Sequence, residues 1–161
     1  MYDTENMNDS QLALLGRARA YCAAAEQCVS AVEQKLRSWG ADEASTEAVA
    51  ARLVEEGYLD DRRYARAYCE SKMLRSGWGR MKVLYQLRLK RLPREAVEAG
   101  MAAVDDEAYF AVLEETALKK RATLRDSDPA VRRRKLASFL AQRGYSMDEI
   151  NQILTKIKQQ L

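Results

Sequence analysis

The chain has 161 residues, 47% of them hydrophobic and 32% charged, which predicts a folded protein and not a disordered one. It contains no histidine, so imidazole metal sites, Ser–His and Cys–His nucleophile pairs and the commonest general base are excluded. No apolar run approaches the ~18 residues that span a bilayer. The polar, acidic N-terminus is unlike a secretory signal, so we expect a cytoplasmic protein without a membrane partner.

Charge is distributed unevenly along the chain, whose formal net charge is +3. Residues 1–60 hold five basic and eleven acidic side chains, a balance of −6. Residues 61–105 hold eleven basic and five acidic side chains, a balance of +6. Residues 106–161 hold eleven basic and eight acidic side chains, a balance of +3. An acidic first third joined to a basic remainder indicates an anionic partner for the remainder. A solvated helical surface of mixed charge is the alternative explanation.

The first third of the sequence predicts a tail followed by three helices. Two prolines, seven glycines and many good helix formers indicate an almost wholly helical protein. Residues 1–10 are expected to be a disordered tail. Gly40 and Gly57 stand where left-handed residues follow helix ends. The predicted helices cover residues 12–25, 27–39 and, from an N-cap at Asp42 or Ser45, the segment up to residue 56.

The middle of the sequence predicts a further three helices. Asp60 or Asp61 is an N-cap for a helix over residues 61–76, because a short carboxylate can accept the unpaired amides of a first turn. Gly77-Trp78-Gly79 ends that helix. The next helix runs over residues 80–90, and Pro93 suits the first turn of the one after it.

The last third predicts three more helices. One covers residues 105–124, and Asp128-Pro129 opens another that ends at Gly144. The sequence Ser146-Met147-Asp148-Glu149 has the form of a capping box and opens the final helix.

Nine predicted helices in three sets of three indicate an internal repeat. The pentapeptide Ala18-Arg19-Ala20-Tyr21-Cys22 recurs 47 positions later as Ala65-Arg66-Ala67-Tyr68-Cys69. Caps, glycines and apolar spacing agree across the three sets. The sequence therefore predicts an all-α protein made of tandem, helix-turn-helix-like three-helix units. The acidic first unit covers residues 11–59, and the basic second and third units cover residues 60–104 and 105–161.

Enzyme chemistry has little support in the sequence. There is no phosphate-binding glycine loop, no HExxH or CxxC pattern and no calcium loop, so we expect no catalytic residues, metal site or cofactor. Cys22, Cys28 and Cys69 are expected to be buried thiols. The pair Asp60-Asp61 is better explained by helix capping and pairing with nearby arginines than by a paired-carboxylate site.

The basic residues are the remaining functional signal. Arginine outnumbers lysine in the second unit, which favours bidentate contact with phosphate or carboxylate. Trp78 is expected either to stack on a base or partner, or to cover the core at the helix junction. The candidate residues for binding nucleic acid or a nucleoprotein filament are Arg62, Arg63, Arg66, Arg75, Trp78, Arg80, Lys82, Arg88, Lys90, Arg91, Lys119, Lys120, Arg121, Arg132, Arg133, Arg134 and Lys135.

Three strings give the chain a family resemblance. They are GYLDDRRYA at 57–65, SGWGRMKVLYQLRLKRLPREAVEAGM at 76–101 and FLAQRGYSMDEI at 139–150. With them the sequence resembles the RecX family of RecA regulators over about residues 17–157. The resemblance implies an elongated, curved arrangement of the three units. It also implies a monomer without catalytic residues that binds the groove of the RecA–DNA filament and modulates recombination, DNA repair and the SOS response, with weak phosphate contacts to single- or double-stranded DNA.

One departure from the family pattern lies at the end of the fifth helix. The family usually has Lys-Gly-Ile there, whereas this chain has Lys90-Arg91-Leu92 followed by Pro93. The left-handed glycine is therefore absent, and a different turn geometry is expected.

Two other functions remain as alternatives. Three units with basic helices would permit direct binding to duplex DNA, although Asn and Gln, which read bases, are scarce on those helices. A helical-repeat scaffold for an acidic protein is the second alternative, although units of about 50 residues do not match the common solenoid repeats.

Overall fold

The computed structural model describes residues 6–158, and in that range the chain is all-α, without β-strands. None of the helices in this range is long and apolar enough to cross a membrane. The predicted all-α fold is thereby confirmed. The nine α-helices of this range are Asp9–Ala24 (α1), Val29–Ser38 (α2), Glu43–Glu55 (α3), Asp61–Glu70 (α4), Arg80–Leu89 (α5), Arg94–Ala102 (α6), Asp106–Thr123 (α7), Pro129–Gln142 (α8) and Met147–Lys158 (α9).

The first helix begins earlier than the sequence predicts. The Asn8 side chain accepts the Gln11 amide at 2.8 Å, and the Gln11 side chain accepts the Asn8 amide at 3.2 Å. This reciprocal capping box starts α1 at Asp9, so residues 9 and 10 belong to the helix and not to the predicted tail. The first five residues of that predicted tail lie outside the described range.

The carboxylates at positions 60 and 61 both cap helices: Asp60 caps α4, as predicted, and Asp61 caps α2, which was not predicted. Asp60 accepts the amides of Arg62 and Arg63 at 3.0 Å at the start of α4. Asp61 reaches across the chain and accepts the amide of Val29, the first residue of α2, at 2.9 Å. Both side chains are thereby used to satisfy unpaired helix amides, which leaves no paired-carboxylate site.

Two hydrophobic cores hold the helices together. The first is formed by α1, α2 and α3 and centres on Leu15, Leu36 and Leu53, none more than 2% exposed. The second is shared by α4 to α9 and includes Met73, Leu113 and other buried side chains from all six helices. The second and third predicted units therefore pack around one continuous core. The three cysteines are free and buried, as predicted.

The junction between α4 and α5 differs from the regular helix predicted over 61–76. The chain leaves α4 through a π-helical turn, Ser71–Arg75, and the Trp78 amide donates to the Lys72 carbonyl at 2.9 Å. Gly77 follows with φ of +68°, the left-handed conformation expected of a helix-ending glycine. The wider π-turn changes the direction in which side chains after Lys72 project.

A close contact joins this junction to the turn between α8 and α9. The Gly79 amide donates to the Arg143 carbonyl at 2.8 Å, and the Met81 amide donates to the Gly144 carbonyl at 3.1 Å. A Cβ at Gly79 would lie 2.1 Å from the Gly144 carbonyl carbon, so only glycine fits. We call this contact the glycine joint. It fixes the start of α5 against the C-terminal helices.

The turn after α5 keeps a left-handed residue even though the expected glycine is missing. Arg91 has φ of +55°, and its amide donates to the Arg88 carbonyl at 3.0 Å. Pro93 is the N-cap residue of α6 and not part of its first turn, which is a small correction to the prediction. The turn geometry expected to change is therefore retained, with arginine in a conformation that usually suits glycine.

Candidate nucleic-acid interface

Two tyrosines on one face of α4 are followed, at the same four-residue spacing, by a lysine in the π-turn. Tyr64, Tyr68 and Lys72 stand above one another, because residues four apart share a helix face. The two tyrosine rings are stacked, with centroids 5.9 Å apart and planes inclined by 25°. Both rings also pack against the second core, which holds them in place.

Lysines from α5 and its flanking turns continue this row. Lys72 Nζ lies 5.7 Å from the Tyr68 ring centroid and 4.7 Å from that of Trp78. Lys82 Nζ lies 4.1 Å from the Trp78 centroid, and Lys90 Nζ lies 5.8 Å from that of Tyr68. We call this set the lysine–aromatic ladder; its members are Tyr64, Tyr68, Lys72, Trp78, Lys82 and Lys90.

The ladder is half-buried and carries positive charge that no carboxylate neutralises. All six side chains are of intermediate exposure, so each presents an edge or an end to solvent. Over residues 6–158, no acidic side chain forms an ion pair with Lys72, Lys82 or Lys90. Burial raises the pKa of Tyr64 to about 12, so its phenol stays neutral at physiological pH. The rings are therefore neutral surfaces between fixed cations, an arrangement that suits stacking and phosphate contact together.

Trp78 covers the core at the helix junction, which is one of the two expectations from the sequence, and its stacking on a base or partner stays a prediction. Its ring packs against the second core, but it is only partly buried and has two ammonium groups within 5 Å of its centroid.

Several predicted cations are instead engaged within the fold. Arg63 is held by Glu26 at 2.9 Å and by the carbonyls of Gly57 and Tyr58. Arg80 pairs with Asp106 at 2.5 Å and lies 4.0 Å from the Tyr109 ring centroid. The remaining engaged cations are Arg62 with Glu95, Lys119 with Glu115, Lys135 with Asp126, Arg121 with the Ile157 carbonyl, and Arg132 with the carbonyls of Asp126 and Ser127.

The other predicted cations have no carboxylate partner within residues 6–158, and the structure separates them into groups. Lys82 and Lys90 join the ladder. Arg75 and Lys120 meet Lys119 in a cleft between the π-turn, α7 and α8. Arg133 lines a different cavity with Arg121 and Arg132, beside the ends of α7 and α9. Arg66, Arg88, Arg91 and Arg134 are exposed and line none of these cavities.

Sequence reasoning missed some residues of the candidate site. Tyr64, Tyr68 and Lys72 were recognisable as one helix face from their spacing, but that spacing is equally typical of core residues. Phe139 of α8 and Arg143, the residue after it, line the same cleft as Arg75 but gave no local signal, because they are distant from it in the sequence. Within the described residues no group of three Cys, Asp or Glu side chains is placed to hold a metal ion.

An exposed apolar stripe lies on α5, the helix that carries Lys82. Met81, Tyr85 and Leu89 are spaced four residues apart and are 60%, 61% and 60% exposed. The sequence of α5, RMKVLYQLRL, contains three cations and no carboxylate. Large apolar side chains repeated on one exposed helix face indicate a protein contact surface.

Comparison with known proteins identifies relatives of this fold. Residues 60–101 and 106–154 match the family models for the second and third three-helix domains of RecX. A regulatory protein RecX of Clostridium acetobutylicum is 29% identical over 153 residues, 92% of this chain and 71% of that protein. A regulatory protein RecX of Prosthecochloris aestuarii is 31% identical over 143 residues, 89% and 92% of the two chains. The crystal structure of RecX from Lactobacillus salivarius shares the fold, with a TM-score of 0.85 at 20% identity over 94% of this chain and 99% of that one.

Proposed function

The chain belongs to the RecX family of regulatory proteins, and on this premise we propose that it regulates the RecA recombinase in the cytoplasm by binding the RecA–DNA filament. In this proposal it acts as a monomer and modulates recombination without performing a reaction of its own. The observation that carries the proposal is the lysine–aromatic ladder, an unneutralised row of cations and rings on the second unit.

The ladder supports contact with the DNA of such a filament. Ammonium groups that bind phosphates release condensed counterions, which gives affinity without sequence preference. Tyr64, Tyr68 and Trp78 offer rings to unpaired bases, and stacking on rings is tolerant of sequence. A regulator that acts along any filament needs this kind of sequence-independent contact.

The apolar stripe on α5 supports contact with the protein of the filament. Phosphates would not select the exposed Met81, Tyr85 and Leu89, whereas an apolar groove on a protein would bury them. Since Lys82 belongs to the same helix, the ladder and the stripe together fit a nucleoprotein better than either naked DNA or a protein alone. This combination favours the filament over the two alternative functions.

The central test removes two positive charges from the ladder and compares the loss of filament binding with the loss caused by removing two matched charges elsewhere. Lys72→Gln with Lys82→Gln should weaken binding to a cognate RecA filament by about tenfold, because two phosphate contacts are lost. Strand-exchange assays should need correspondingly more protein for the same effect. The control is Arg17→Gln with Lys35→Gln, which also removes two cations that lie over a tryptophan, Trp39, but in the acidic first unit. Equal losses in the two double variants would exclude the ladder from the interface.

A second set of experiments distinguishes filament binding from the two alternative functions, direct DNA binding and a scaffold for a protein partner. Tyr85→Ser with Leu89→Ser should weaken filament binding while leaving binding to naked single-stranded DNA unchanged. Sequence-preferring binding to naked duplex, with no effect on stoichiometric RecA, would instead support a direct DNA-binding protein. Capture of a protein partner that is insensitive to removal of DNA would support the scaffold.

A further inference from the structure

A cleft lies where the 74–77 segment of the second unit meets α7 and α8 of the third unit. It has a volume of about 430 Å³, within the ~300–1,000 Å³ range of small-ligand sites. The lining cations and turn residue are Arg75 at the end of the π-turn, Gly77 after it, Lys119 and Lys120 of α7, and Arg143, the residue that follows α8. We call it the inter-unit cleft.

Positive charge is in excess in the inter-unit cleft. Four cations line it, and the single acidic side chain is Glu115, which is paired with Lys119 at 2.7 Å. That pairing lowers the pKa of Glu115, so the carboxylate and the ammonium of Lys119 cancel. Arg75, Lys120 and Arg143 have no carboxylate partner in the part of the chain that the structure describes. Three uncompensated cations around one concave surface favour a multiply charged anion.

Arg143 is held in place without a counter-ion. Its guanidinium carbon lies 5.5 Å from the Phe139 ring centroid, and its Nε is fully buried without a hydrogen-bond acceptor. Its own carbonyl accepts the Gly79 amide at 2.8 Å in the glycine joint. Lys120 Nζ lies over the same Phe139 ring, 4.9 Å from its centroid. The ring therefore brings two positive charges close together, and a bound anion would offset their repulsion.

We propose that the inter-unit cleft binds a phosphate group, either a phosphodiester of a nucleic acid backbone or the phosphates of a free nucleotide. Two guanidinium groups and an ammonium provide more donors than a single carboxylate accepts, whereas the oxygens of a phosphate can accept from all three. Gly77 lines the cleft and its chain neighbour Trp78 belongs to the ladder, so the two candidate sites share the 71–78 segment. This inference rests on the proposed function and adds a binding site to it. Its test omits RecA, so that the inference and the proposed function can fail separately.

The test uses the full chain with two probes, a fluorescein-labelled twelve-residue oligothymidylate and sodium pyrophosphate. Arg75→Gln with Lys120→Gln should weaken oligonucleotide binding by about fivefold or more and reduce its salt slope by about one to two. Arg94→Gln with Arg125→Gln is the matched control, because it removes two exposed charges outside both the cleft and the ladder; it should change affinity less than twofold. Circular dichroism melting of each variant checks that folding is retained.

Backbone amide shifts distinguish the two sources of phosphate. Shifts at Arg75–Gly77, Lys120 and Arg143 caused by the oligonucleotide alone assign the cleft to a nucleic acid backbone, and the same shifts with pyrophosphate at lower concentration assign it to a free nucleotide. Equal losses in the two double variants would overturn the proposal. So would shifts that avoid the cleft with both probes, or a polyglutamate peptide that occupies the cleft while neither phosphate probe does.

Discussion

Arg91 adopts an unfavourable backbone conformation that the turn after α5 requires. Its φ of +55° brings its side chain too close to its own backbone, at a cost of about 1–2 kcal/mol for residues other than glycine. The turn is retained because Leu92 after it is buried in the second core and because the Lys90 carbonyl accepts a hydrogen bond from Ser30 of α2. Tertiary contacts therefore impose a conformation that the local sequence disfavours.

Replacing Arg91 by glycine should stabilise the protein. Relief of the strained φ outweighs the greater freedom that glycine gives the unfolded chain, and a net gain of about 0.5–1 kcal/mol in the free energy of unfolding is expected. Urea denaturation of the two proteins measures this difference in the free energy of unfolding. Arg91→Ala removes the same charge but keeps the strain, so it should show no such gain. If both variants were equally stable, loss of charge and not relief of strain would be the cause.

The glycine joint shows how one contact between elements depends on backbone shape. The backbone of Gly79 packs directly on Gly144, and the Tyr145 hydroxyl donates to the Gly77 carbonyl at 3.0 Å. The Arg80 amide next to it donates to the hydroxyl of the buried Tyr109 at 3.0 Å. The start of α5 is thus attached to α7 and to the α8–α9 turn at once.

A pair of alanine substitutions tests the joint. Gly79→Ala should lower the free energy of unfolding by about 3 kcal/mol or more, because its Cβ would overlap backbone atoms that cannot move aside. Gly16→Ala, in the exposed middle of α1 with no atom within 4 Å of the new Cβ, should raise it by about 0.5–1 kcal/mol. Thermal and urea denaturation measure both variants. A tolerated alanine at position 79 would mean that the joint is not a close contact.

These elements show what the sequence can and cannot predict. Helix starts such as Asp42, Asp60 and the Ser146–Glu149 box were predictable because a cap is a local hydrogen bond. The π-turn, the joint and the inter-unit cleft were not, because each depends on residues far apart in the chain. The spacing of the α4 residues in the sequence revealed part of the ladder. Its contacts with Trp78 and Lys90 could not be predicted, because they depend on how α5 packs.

At the scale of the whole molecule, residues 6–158 form two cores, whereas the sequence predicts three units. The acidic first unit has its own core, and its links to the rest are few: the Val29–Asp61 cap, the Ser30–Lys90 bond, the Glu26–Arg63 pair and the buried Cys28 are among them. The basic second and third units share the other core. We propose that residues 6 to about 59 open independently of the remainder.

Native-state hydrogen exchange tests this division in the full chain. Leu53→Ala and Leu113→Ala should each cost about 2–5 kcal/mol, since both side chains are fully buried. Leu53→Ala should lower amide protection mainly in α1–α3, whereas Leu113→Ala should lower it throughout α4–α9. Uniform loss of protection across all nine helices in either variant would show that the two cores unfold together.

The glycine joint also has an energetic consequence for any ligand that spans the ladder and the inter-unit cleft. Because folding itself sets the distance between them, a ligand does not have to order one site relative to the other when it binds. The conformational entropy of that alignment is lost before the encounter, so more of the contact energy appears as affinity. The same rigidity restricts which ligands fit, since the spacing of their charges has to match one fixed separation.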